Sequence, residues 1–81
     1  METKVAVISI IVEDDGAVKE LNGLLHEFGA YIIGRLGIPY RAKGINIICV
    51  ALDAPEDRIS ALGEGLGKIG GINAKVTYST I

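Results

Sequence analysis

Three acids ahead of a glycine, Glu13-Asp14-Asp15-Gly16, form the densest group of chemically capable side chains in the sequence. Adjacent carboxylates could ligate a hard cation or hold the ammonium group of a ligand. They also suit a plainer role, because acids at the start of a helix cap its free N–H groups and meet the positive end of its dipole. Gly16 has no side chain to block approach, so an anion could reach such N–H groups there. Arg35 and Arg41 are candidate counter-charges. Asp14 and Asp15 oppose a bare anion. The set Asp14, Asp15, Gly16, Arg35 and Arg41 therefore fits a small zwitterion, carrying carboxylate and ammonium together, better than phosphate.

Other chemistry has thinner support. Cys49 and His26 are the single cysteine and the single histidine. One lies in a strand and one in a helix, short of a zinc or nickel set within one subunit, so no metal or cofactor is expected. Cys49 sits between Ile48 and Val50, where burial would keep a thiol inert. No nucleophile turn accompanies a histidine and an acid, so catalytic residues cannot be named and a non-enzymatic role is expected. Tyr31, Arg35, Tyr40, Arg41 and Lys43 mix aromatic with basic groups, as single-strand nucleic-acid binders do. The central strands, however, offer no Phe or Tyr as stacking platforms, and a hairpin making subunit contacts is the expected use.

Composition narrows the classes further. Eight basic residues against ten acidic ones leave a net charge of −2, without the basic excess of a nucleic-acid binder. No run approaches the ~20 apolar residues of a membrane helix, the first residues are not a signal peptide, and a lone cysteine suits a reducing compartment; the cytoplasm is the expected location. With 81 residues, 1–81 is expected to be a single domain. A chain of this size hides only ~60–65% of its unfolded surface. Yet 49% of the residues are hydrophobic, more than two helices on one sheet face require. The surplus points to a subunit interface.

The elements that must position these groups follow from periodicity. Lys4 to Val12 is rich in β-branched residues and reads as a strand covered on both faces. Asp15 is the expected N-cap of a helix whose stripe is Val18, Leu21, Leu25 and Phe28, widened by Leu24 and stopped by Gly29. Tyr31 to Ile38 reads as an edge strand loosened by Gly34 and Gly37, followed by a hairpin connection from Pro39 to Gly44. Ile45 to Leu52 is again apolar on both faces. Asp53-Ala54-Pro55 opens a second helix with the stripe Ile59, Leu62, Leu66 and Ile69, ended by Gly70-Gly71. Gly63, Gly65 and Gly67 each weaken that helix by up to ~1 kcal/mol relative to Ala. Ile72 to Ser79 alternates as an edge strand with one wet face.

With the doubly apolar strands central and right-handed crossovers, the expected fold is α+β: a ferredoxin-like βαββαβ sandwich, antiparallel sheet order 4-1-3-2, with both helices on one face. The other face then carries alternate residues of Val5–Ile11 and Ile45–Ala51 with nothing in the chain to cover them. A homo-oligomer, dimer or tetramer, is the economical cover. Alternation cannot say which of Ile47 and Ile48 points outward.

Two resemblances rest on particular residues. The acidic strand exit, Gly16, the apolar positions Val18, Leu21 and Leu25, and the exit Gly29-Ala30-Tyr31-Ile32 resemble an ACT domain, a small regulatory module that binds amino acids or similar ligands at subunit interfaces. The usual proline before the glycine is absent here. The segment Ile33-Gly34-Arg35-Leu36-Gly37-Ile38-Pro39-Tyr40-Arg41, then Gly44-Ile45-Asn46-Ile47-Ile48 and the stretch 67–76, is similar to the small ACT-like proteins named as iron-only hydrogenase system regulators. The related nickel-responsive regulators carry a DNA-binding segment ahead of a similar domain. With nothing ahead of the first strand here, direct DNA binding is not implied. The resemblance implies a regulatory, ligand-sensing module with a protein partner. The alternative is a structural interaction module that oligomerises and docks partners without a ligand.

Overall fold

The computed structural model describes residues 2–81. Six main elements follow in order: β1 (Lys4–Val12), α1 (Val18–Glu27), β2 (Ile32–Tyr40), β3 (Ile45–Ala54), α2 (Glu56–Gly67) and β4 (Ile72–Tyr78). The four strands form one sheet in the order β2-β3-β1-β4, every neighbouring pair antiparallel. This is the expected order, seen from the opposite edge. No helix among the described residues is long and apolar enough to cross a membrane.

The core is built by alternation meeting helical periodicity. Ala6, Ile8, Ile10 and Val12 of β1 and Ile48, Val50, Leu52 and Ala54 of β3 are buried beneath the helices. Leu21, Leu25 and the adjoining Phe28 cover them from α1, and Ile59, Leu62, Leu66 and the adjoining Ile69 from α2. Both helix stripes therefore fall where the 3.6-residue period puts them.

Several boundaries differ from the sequence reading, each for a local reason. Asp14, not Asp15, is the capping acid: its Oδ1 accepts the Gly16 N–H at 2.9 Å and opens a 3-10 turn over Asp15–Ala17 that leads into α1. Gly29 follows the end of α1 without the left-handed backbone of a glycine stop, and a second 3-10 turn, Gly29–Tyr31, carries the chain to β2. β2 runs through Pro39, which an edge strand tolerates. β3 extends to Ala54 because Asp53 and Ala54 pair with Val5 and Lys4. Pro55 thus becomes the N-cap of α2, its carbonyl accepting from Arg58 and Ile59.

The glycines of α2 do more than weaken it. A Cβ on Gly65 would lie 2.9 Å from Leu24 Cδ2, and one on Gly63 would lie 3.3 Å from Val76 Cγ2. Their small size lets α2 approach α1 and β4 closely.

Candidate functional site

The exit of β1 is pinned to the start of β4 by its backbone. Glu13 and Asp14 both donate their N–H groups to the Gly71 carbonyl, at 2.7 and 3.2 Å. Gly71 has φ +85°, and a Cβ there would come within 2.6 Å of Asp14 Cβ, so only glycine fits the turn. The Asn73 side-chain amide donates to Glu13 Oε1 at 2.7 Å. Two of the three acids are thereby engaged in holding the loop: Glu13 by Asn73 and Asp14 by the Gly16 amide.

Asp15 is held differently. Its Oδ1 accepts from Asn46 Nδ2 at 3.2 Å, which ties the β1–α1 turn to the start of β3. Across from it, a 3-10 turn over Arg41–Lys43 ends at Gly44, whose φ of +64° and ψ of +32° are left-handed. Between these turns lies an open hollow of about 440 Å³ lined by Asp15, Pro39, Arg41, Gly44, Ile45 and Asn46. An acid and a guanidinium share its lining, with a neutral amide between sequence-distant elements.

Arg35 lies in an adjoining hollow. It projects from the helix-covered side of β2, opposite Val50, and its Nη2 donates to Asn22 Oδ1 of α1 at 2.6 Å. That second hollow, of about 250 Å³, has Val18, Pro39 and Ile48 as apolar walls and Arg35, Asn22 and Asn46 as polar ones. Pro39 and Asn46 line both hollows. The structure thus brings Asp15 and Arg41 to one hollow and Arg35 to its neighbour. Asp14 and Gly16 line neither, and a Cβ on Gly16 would meet Asp14 Oδ1 at 3.2 Å. Asn22 and Asn46, which the sequence reading did not single out, complete the polar lining. Asn46 carried a weak signal, as the polar residue in the otherwise apolar start of β3.

The metal reading of the acidic run loses its geometry, because Glu13, Asp14 and Asp15 reach three different partners. Among the described residues no three His, Cys, Asp or Glu side chains converge on one point. His26 is exposed at the end of α1. Cys49 is not buried as its apolar neighbours suggest. It is half-exposed on the helix-free face, opposite Ser9 and Leu36.

Comparison with known proteins bears on the family and the fold. A family described as "TM1266-like: Iron-only hydrogenase system regulator, putative" matches residues 4–76. The solved structure of the uncharacterized protein TM1266 from Thermotoga maritima is similar with a TM-score of 0.91 and 33% identity, over 95% of this chain and 98% of that one. The ACT domain from GTP pyrophosphokinase of Chlorobium tepidum superposes with a TM-score of 0.75 at 22% identity, over 95% of this chain and 99% of that one. A formyltetrahydrofolate deformylase from Pseudomonas putida matches over 90% of this chain but only 28% of its own, with a TM-score of 0.64 and 19% identity. No curated protein matches the chain. The two more distant structures share the fold, which is ACT-like. The match over residues 4–76, together with the likeness to TM1266 along nearly the full length of both chains, places this chain in the TM1266-like family.

Proposed function

We propose that this protein is a non-enzymatic regulatory module of an iron-only hydrogenase system, sensing a small zwitterionic ligand between its β1–α1 and β2–β3 turns. The observation that carries the reading is the pairing of opposite charges, Asp15 and Arg41, on one hollow of about 440 Å³. Asp15 suits a ligand ammonium and Arg41 a carboxylate, and the Asn46 amide serves either. Arg35 in the adjoining hollow is a second carboxylate partner, next to apolar walls that suit a short hydrocarbon body. The regulatory role follows the family description and the ACT-like fold.

Calorimetry with a panel of free amino acids and related zwitterions tests the site. The expected result is that Arg41→Ala and Asp15→Asn each weaken binding at least ~10-fold while leaving the melting temperature without ligand near that of the parent. A ligand bound equally well by both variants would place the site elsewhere. The second reading, an interaction module that works without a ligand, is favoured by the apolar face that the helices leave open. A thermal-shift screen separates the two, since a sensor is stabilised by its ligand and a scaffold responds to none.

A further inference from the structure

We propose that the helix-free face of the sheet, centred on β2 and β3, is covered by a second copy of this chain packed face to face. This stands apart from the ligand reading, because it rests on the opposite side of the sheet from Arg35.

The pairing registers define the face. Alternate residues opposite the core set are Val5, Val7, Ser9 and Ile11 of β1, and Ile45, Ile47, Cys49, Ala51 and Asp53 of β3. β2 adds Leu36, Ile38 and Tyr40, which stand opposite Cys49, Ile47 and Ile45. β4 adds Asn73, Lys75 and Thr77, opposite Ile11, Ser9 and Val7. The three strands β2, β3 and β1 thus present a continuous apolar surface, on which Leu36 remains 59% exposed and Ile47 37%. Charge is confined to its margins, Asp53 at one strand end and Lys75 on the β4 side.

Three observations select the occupant. A four-stranded face with nine-residue strands measures roughly 19 Å by 30 Å, about 570 Å² in projection. Two such faces together come to about 1,100 Å², which passes the ~1,000 Å² that a specific interface needs. The near absence of charge leaves nothing for a basic or acidic partner to recognise, whereas an identical apolar face is self-complementary under a two-fold axis. Finally, the β2 edge is a poor alternative for joining copies: it carries Pro39 and a register break between Ile32 and Gly34, both of which blunt strand addition.

The test is the mass of the full chain by sedimentation equilibrium from low to high micromolar concentration, with Ile47→Asp alongside. The expected result is an oligomer for the parent and a folded monomer for the variant, with self-association weakened at least ~100-fold by the buried carboxylate. A parent that stays at 8.5 kDa throughout overturns the proposal and leaves the face to a different protein. An Ile47→Asp protein as oligomeric as the parent also overturns it and moves the contact to an edge. Should Ile47→Asp fail to fold, Cys49 decides with the unmodified protein. Its reaction with a thiol reagent must slow at least ~10-fold across the association range, since the interface closes over it, and a constant rate overturns the proposal.

Discussion

The two faces of this one sheet both carry aliphatic side chains from β1 and β3 and live in different surroundings. Neighbours along β3 make the contrast plain: Ile48 is 7% exposed and Ile47 37%, although both are isoleucines in the same central strand. Beneath the helices, the inward side chains of β1 and β3 join Leu21, Leu25, Leu62 and Leu66 in one buried cluster. On the other side the same side chains meet water in the isolated chain. Apolar content alone therefore does not define a core; a second layer must exist to complete it.

The sharpest way to break the comparison is truncation at those neighbours. Ile48→Ala is expected to destabilise the fold by ~2–4 kcal/mol, because it removes buried methylenes and leaves a cavity against the helices. Ile47→Ala should change the stability of the dilute chain by less than ~1 kcal/mol. Chemical denaturation at low protein concentration measures both. Equal losses would mean that the open face is already packed.

A smaller effect distinguishes the next pair. Val50→Thr should destabilise by ~1–3 kcal/mol, since it places a hydroxyl among apolar side chains with no partner. Cys49→Ser, on the open face, should stay under ~1 kcal/mol, less than the apolar run around it suggests, because its hydroxyl retains access to water or Ser9. A loss at Cys49 matching that at Val50 would erase the distinction between the faces.

The helix layer gives a third contrast. Gly23 in α1 has open space where a Cβ would sit, so Gly23→Ala should stabilise by ~0.5–1 kcal/mol through helix propensity. Gly65→Ala gains the same propensity but must displace Leu24, so its thermal midpoint should fall below that of Gly23→Ala. The smallest change is expected at the exposed pair Lys4–Glu56, 3.4 Å apart at the rim, where Lys4→Ala should stay within ~0.5 kcal/mol.

How much of this was legible depends on whether a property is local to the chain. The span of β1, the stripes of both helices and the wet alternation of β4 follow from periods of two and 3.6 residues, which any window of sequence carries. The sheet order was legible too, because only β1 and β3 are apolar at nearly every position, and such strands take the central places of a sheet. The candidate site was half legible. Asp15, Arg41 and Arg35 could be named from charge and position, whereas Asn22 and Asn46 take part only because folding sets them beside those groups.

What the tertiary structure alone decided concerns choices among equivalent residues. Glu13, Asp14 and Asp15 can each accept a hydrogen bond, and the approach of Asn73 to Glu13 and of Asn46 to Asp15 leaves Asp14 to cap its own turn. A strand that is apolar throughout carries no phase, so the outward direction of Ile47 and Cys49 waits on where the helices pack. Gly65 looks like a flaw in a helix until α1 lies against it. In each case the sequence determined which residue types are present and how they repeat. Distance between remote segments determined which of them act, because contact energies fall off within a few ångströms and no local window contains them.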